Sequence, residues 1–171
     1  MSRARLLIVW HSRTGAARQM AQALAHGAQQ AAVALDLAMA LDVRSLPADE
    51  AGCDDVLDAQ GYLFCAPENL GSVSGAMKEF FDRCYYEVLD RVAGRPYALA
   101  IAAGTDGTGA ARQIERICTG WRLRQAAPPL IARNGAQAPA QILAPKTIAP
   151  DVRAQCEELG GLLAATVLIG I

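Results

Sequence analysis

Leu6-Leu7-Ile8-Val9-Trp10-His11-Ser12-Arg13-Thr14-Gly15-Ala16-Ala17 is the stretch that decides the fold of this chain. An apolar run ends, a short hydroxyl-rich turn follows, and a helical pattern begins. The first N–H groups of a helix have no partner inside it, and the helix dipole places partial positive charge there. A strand–turn–helix junction of this kind is where an α/β protein binds a phosphate. Ser12 and Thr14 add hydroxyl donors, and Gly15 lets the backbone come close. The turn has neither the Lys of a nucleoside-triphosphate loop nor the G-x-G-x-x-G of a dinucleotide fold.

Outward from this junction, strands and helices alternate. Residues 5–10 read as a buried strand. Ala17, Met20, Ala21, Leu24, Ala28 and Ala31 then recur on one helical face. Val33, Leu35, Leu37, Met39 and Leu41 alternate with smaller or polar residues and predict a half-exposed edge strand. Residues 46–58 are acidic, contain Pro47 and Gly52, and read as loop with at most one helical turn. Residues 62–66 form a third strand, apolar on both faces, and residues 67–75 a loop. Met77, Phe80, Phe81, Cys84, Tyr85 and Val88 share one helix stripe, read as core, with Glu79 and Arg83 spaced to pair outside it. Residues 97–103 make a fourth strand and residues 104–109 an irregular loop. Ile114, Ile117, Cys118 and Trp121 mark the next helix. Residues 130–132, after Pro128-Pro129, form a short fifth strand at an edge. Residues 133–149 read as an excursion with little regular structure. Asp151 lies near the N-cap of a last helix that turns Val152, Cys156, Leu159, Leu163 and Val167 inward.

Five strands alternating with helices imply an α/β protein with a parallel sheet covered on both faces. Strands one, three and four are the most continuously apolar and belong in the middle. The order 2-1-3-4-5 satisfies this. In such sheets a ligand lies at the carboxyl ends of the strands, where the order reverses between strands one and three. Three loops rich in Gly, Ser, Thr, Asn or Pro end there: residues 11–16, 67–75 and 104–109. No repeat or linker divides the chain, so residues 1–171 read as one domain.

Composition narrows the function. Apolar residues make up 53% of the 171 and charged residues 19%, which describes a globular chain rather than a disordered one. A formal net charge of −1 gives no electrostatic reason to expect nucleic acid or an anionic membrane as partner. Two His are too few for a His-rich metal site. The five Cys lie far apart with no C-x-x-C pair, as expected of reduced, mostly buried thiols in a cytoplasmic protein. The N-terminal apolar run is too short for a signal peptide. The C-terminal run, residues 162–171, falls short of the roughly 20 residues of a membrane span and reads as a covering helix.

Ser12-Arg13-Thr14-Gly15-Ala16-Ala17, after His11, resembles the phosphate loop of the flavodoxin-like superfamily: hydroxyl residue, any residue, hydroxyl residue, Gly, any residue, Thr. Residues 66–83, with Pro67, Glu68, Asn69, Leu70, Gly71, Ser72 and Gly75 followed by Lys78, Phe80, Phe81 and Asp82-Arg83, resemble its NAD(P)H-dependent FMN reductase and quinone oxidoreductase branch. Two positions depart from the pattern. Ala17 stands where Thr is usual, and Leu70 where an aromatic is common. One lost hydrogen bond to a charged group is worth roughly 1.5–3 kcal/mol.

The resemblance implies a flavodoxin-like three-layer sandwich. It implies FMN held by His11, Ser12, Arg13, Thr14, Gly15, Ala16 and Ala17 at the phosphate, and by Pro67, Glu68, Asn69, Leu70, Gly71 and Ser72 against the ring. Ala103, Gly104, Thr105, Asp106 and Gly107 would line the ring's other side. NAD(P)H would donate electrons and a quinone-like or flavin small molecule would accept them, in a homodimer or homotetramer. The flavin carries the chemistry, so no catalytic side chain is expected. Glu68 beside the ring would disfavour an anionic reduced flavin, and Asn69 would offer its amide to the pyrimidine edge. A flavodoxin-type electron carrier and a flavin-free scaffold are the alternatives. Plainer readings also stand for single residues. Ser12 and Thr14 serve equally as helix caps, His11 as a polar strand end, Arg13 as a solvated cation, and Cys65 as a packing thiol. Glu68, Asn69 and Asp106 serve equally as turn formers.

Overall fold

The computed structural model describes residues 3–170, so both ends of the 1–171 span, including the last residue of the C-terminal run, lie outside it. In chain order the elements are β1 (Ala4–Trp10), α1 (Ala16–Ala34), β2 (Leu41–Pro47), α2 (Cys53–Asp58), β3 (Gly61–Asn69), β4 (Ser72–Val73) and α3 (Gly75–Val88). There follow β5 (Pro96–Ala103), α4 (Thr108–Gly120), β6 (Arg124–Gln125), β7 (Leu130–Arg133), α5 (Pro139–Leu143) and α6 (Pro150–Ile169).

Pairing follows burial. Leu6, Leu7, Ile8 and Val9 are wholly buried, and so are residues 62–66. Strands apolar on both faces must be flanked by other strands and covered twice. The sheet runs β2-β1-β3-β5, with the short β6 and β7 both parallel to β5 on its far side. Leu6 pairs in register with Gly61, Tyr62 with Tyr97, and Ala100 with Leu130. The expected order 2-1-3-4-5 is therefore present, with β5 and β7 as strands four and five. Two short strands beyond the expected five, β4 and β6, bring the sheet to seven.

Alternate side chains feed two cores. Leu6, Ile8, Leu63 and Ala100 pack under α1 and α6, while Leu7, Val9, Phe64 and Leu99 pack under α2, α3 and α4. Phe80 and Phe81 are core, as the stripe predicts. Trp121 is fully buried and donates its ring N–H to Tyr85 O at 3.0 Å. All five Cys are free, four of them buried. Glu79 and Arg83 pair at 3.0 Å.

Several boundaries differ from expectation. The alternation at residues 33–41 is not a strand. No Gly or Pro stops α1 before Ala34, and the chain turns only at Asp36, which has φ +58°. Val33 and Met39 are consequently 58% and 75% exposed. The edge strand comes later, as β2, where Arg5 meets Asp42 at 2.8 Å. Residues 67–75 are not a simple loop, because β3 continues to Asn69 and folds back as β4. Thr108 and Gly109 belong to the first turn of α4 rather than a loop. The excursion at residues 133–149 contains the single-turn α5. As expected, Asp151 lies near the N-cap of α6, in its first turn; Ala149 is the N-cap and Pro150 takes the first helical position, where its missing N–H costs nothing.

α1 and α6 cross with their backbones in contact. A Cβ on Gly27 would lie 1.9 Å from Glu157 O, and one on Gly160 would lie 2.0 Å from Leu24 O. Gly160→Ala should therefore lower the unfolding free energy by about 3 kcal/mol, read as an earlier urea midpoint, despite Ala's better helix propensity. Gly161→Ala is the control: its Cβ would meet Ala31 Cβ at 3.4 Å and Gly27 O at 3.5 Å, both ordinary contacts.

Candidate functional site

The carboxyl ends of β1, β3 and β5 open into a cleft of about 610 Å³, within the range of small-molecule sites. The three expected loops meet there. His11, Ser12, Arg13, Thr14, Ala16 and Ala17 line one part, Pro67, Glu68, Asn69 and Leu70 another, and Ala103, Gly104 and Thr105 a third. Gly15, Gly71, Ser72, Asp106 and Gly107 are not on the wall. Gly15 and Gly107 instead sit at φ +103° and +92° as the N-caps of α1 and α4. The sequence reading missed Ser74, Gly75 and Ala102 at the ends of loops it had found. It also missed Asn134, Ala136, Ile142 and Lys146. These four come from the excursion after β7. Its departure from the ligand-bearing edge of the sheet was the one available signal.

At the first loop no side chain caps α1. Ser12 Oγ accepts from Gly15 N at 3.1 Å, one residue short of the helix. The first-turn amides of a 19-residue helix thus face the cleft without a side-chain partner. Beneath them, the buried Cys65 thiol donates to Ala17 O at 3.2 Å. Burial pushes that thiol well above its ordinary value, so Cys65 packs rather than reacts.

The β3–β4 hairpin is clamped to α4. Glu68 accepts from Gly107 N at 2.9 Å and from Ala110 N at 3.2 Å, capping α4 from a different element. Gln113 Oε1 accepts from Ser72 Oγ and Val73 N, both at 2.9 Å. Gly109 carries no Cβ, and one placed there would be 2.0 Å from Gly71 O. At the hairpin tip, Leu70 and Gly71 have φ +52° and +73°. Two positive φ values in a two-residue loop make a turn that matches strand twist but strains a Leu by about 1–2 kcal/mol. Leu70 is also 97% exposed, at the mouth of the cleft.

Polar contacts tie the loops across the cleft. Arg13 donates to Asn69 Oδ1 at 3.1 Å, and His11 Nδ1 shares a 2.8 Å hydrogen bond with Ser74 Oγ. Burial pushes the His11 imidazole below its ordinary value. Asp49 opposes this and Arg13 adds to it, so the ring is neutral at pH 7. Asp106 accepts from the hydroxyl and amide of Thr108, which hold its carboxyl below the usual range. It forms a turn and stands outside the cleft wall.

The strand order, with a cleft at its reversal, defines a flavodoxin-like fold. Residues 11–132 match the family described as NADPH-dependent FMN reductase, and the chain belongs to that family. A protein named flavodoxin from Aquifex aeolicus is 31% identical over 105 residues, which are 61% of this chain and 53% of that one. An NAD(P)H dehydrogenase (quinone) from Acidithiobacillus ferrooxidans is also 31% identical, over 46% of each chain. The chain thus spans about half the length of these curated relatives. The solved structure of a flavodoxin from the domain Archaea superposes with a TM-score of 0.74 at 16% identity. It covers 95% of this chain and 98% of its own, a likeness of fold. No helix among the described residues is long and apolar enough to cross a membrane, and no three His, Cys, Asp or Glu group there as metal ligands.

Two outcomes are expected. Glu68→Gln removes the charge and one acceptor from the α4 cap and should cost about 1–2 kcal/mol in urea unfolding. For His11, the folded state resists protonation relative to the unfolded chain. Its contribution is fully present above about pH 6.5 and is lost as pH falls through the lower folded value. His11→Gln should flatten the fall of stability on acidification, measured as the slope of unfolding free energy against pH.

Proposed function

We propose that this protein is an FMN-dependent NAD(P)H oxidoreductase that passes electrons to a quinone-like or flavin small molecule. One observation carries the reading. All three loops converge on a single cleft whose floor is the uncapped N-terminus of α1, and residues 11–132, which supply those loops, match a flavin reductase family.

The residues suit a phosphate joined to a flat ring. The α1 amides, with Ser12, Thr14 and Arg13 beside them, would bind the phosphate, and Gly15, Ala16 and Ala17 permit its approach. Glu68, Asn69 and Leu70 would present backbone donors to the ring edge and Pro67 an apolar wall, on a hairpin that Gly71 and Ser72 close and α4 keeps rigid. Ala103, Gly104 and Thr105 would form the opposite wall, with Asp106 and Gly107 shaping the turn behind it. Bound FMN would supply hydride and electron transfer. The protein's part is to hold, orient and desolvate. No side-chain acid or base is assigned. His11 is neutral and anchored to Ser74. Glu68, with both carboxylate oxygens on α4 amides, holds the hairpin.

A flavodoxin-type carrier is the second reading, favoured by the 31% identity to a protein of that name. A net charge of −1 favours the enzyme, because a carrier docking on basic redox partners gains from a strongly acidic surface. We place the protein in the cytoplasm, acting on small molecules without nucleic acid or membrane, as a homodimer or homotetramer. The test is anaerobic mixing of the FMN-loaded protein with NADPH or NADH. Rapid loss of the oxidised-flavin absorbance, absent with free FMN, is the expected result. Stable colour until a separate reductase is added would assign the carrier role instead.

A further inference from the structure

We propose that Lys146, supplied by the segment beyond the family match, is a phosphate-binding cation of this cleft. The proposal rests on the flavin reading above and deepens it at one residue.

The placement of Lys146 is built in. Its backbone N–H donates to Thr14 O at 2.8 Å. Gln19, on the first turns of α1, donates from Nε2 to Lys146 O at 2.7 Å and to Gly15 O at 3.1 Å, and accepts from Ile148 N at 3.1 Å. One side chain thus sews residues 146–148 to the turn that bears Ser12 and Thr14. Residues 141–145 are all exposed, whereas Lys146 is half-buried and lines the cleft with Thr14 and Ala17.

Its charge is left over. The ammonium donates to the carbonyls of Gln141 at 2.6 Å, Ile142 at 3.2 Å and Ala144 at 2.5 Å, at the carboxyl end of α5. These are neutral acceptors, and no carboxylate among the described residues forms an ion pair with it. On the same wall the Glu68 carboxylate is offset in charge by the Arg13 guanidinium, which donates to the neutral Asn69 Oδ1, and His11 is neutral. Lys146 therefore leaves a net positive charge on the cleft that also holds the bare amides of α1, where Ala17 offers no hydroxyl. A phosphate monoester, carrying close to two negative charges at neutral pH, complements both features. A neutral ring system gains nothing from either.

FMN and riboflavin differ only by that phosphate and separate the two roles Lys146 can have. Both are titrated into stripped wild type, Lys146→Met and Lys146→Arg, following flavin fluorescence at low and high salt. Lys146→Met should weaken FMN by about tenfold, the scale of losing one nearby cation whose three N–H groups stay on the α5 carbonyls, and leave riboflavin unchanged. Lys146→Arg should keep most of the FMN preference, and added salt should weaken FMN more in wild type than in Lys146→Met. Equal weakening of both ligands would overturn the proposal, because it would mean that Lys146 only caps α5 and holds the Ile142 wall. Unchanged binding of both would overturn it as well. Wild type that binds riboflavin and FMN equally would refute the phosphate site while leaving a flavin cleft. Wild type that binds neither would remove the flavin reading and this proposal together.

Discussion

Parallel pairing of β1, β3 and β5 is the constraint from which the rest follows. Adjacent parallel strands cannot be joined by a tight turn, so each connection leaves one edge of the sheet, crosses a face as a helix, and returns at the opposite edge. Every strand therefore releases its carboxyl end at the same edge. α1 leaves β1 for one face, and α3 leaves β3 for the other. The crevice between those departures is the cleft, and no residue in it had to be chosen for the crevice to exist. What holds the constraint in place is burial on both faces. Leu6 to Val9 are wholly excluded from water, and a polar substitution there would strand a group with no partner on either side.

The cleft is made of parts with different rigidity, and polar bonding sets the difference. The β3–β4 hairpin is exposed at its tip but held at its base by Glu68 and Gln113, whose partners are backbone groups of α4 and the hairpin itself. That anchorage lets Leu70 remain at φ +52° with its side chain in water, a state an unsupported turn would relax. On the opposite side, the strap after β7 has little burial of its own. It is positioned by Gln19 and the carbonyl of Thr14, so the wall it contributes depends on the same turn that faces the phosphate end of the cleft.

Much of the architecture was legible in the sequence because it rests on periods and punctuation. A run apolar at every position marks a central strand, and the 3.6-residue stripe through Met77, Phe80, Phe81 and Cys84 marks α3. Junctions that end such runs in Gly, Ser and Thr mark the ligand edge. The alternation at residues 33–41 misled because Ala-rich α1 runs on to Ala34, the chain turns at Asp36, and residues 38–40 form a short 3-10 turn before β2. Local helical bonding and the contact with α6 outweigh a two-residue period, and the real edge strand, with Asp42 and Arg44, shows a weaker pattern.

The sequence by itself determined the sheet order, the faces of the helices and the three loops that meet at residues 11–16, 67–75 and 104–109, since each follows from local hydrophobic patterning. Only the tertiary structure decided what the polar side chains in those loops do. Glu68 became a cap for α4 as well as a charge on the cleft wall, Ser12 turned to Gly15 N, and Lys146 arrived from a segment with no motif. The physical reason is range. Hydrophobic period is written in neighbours a few residues apart. The partner of a polar side chain is fixed by which backbone groups, here 39 and 42 residues away for Glu68 and 127 for Gln19, the folded sheet brings within hydrogen-bonding distance.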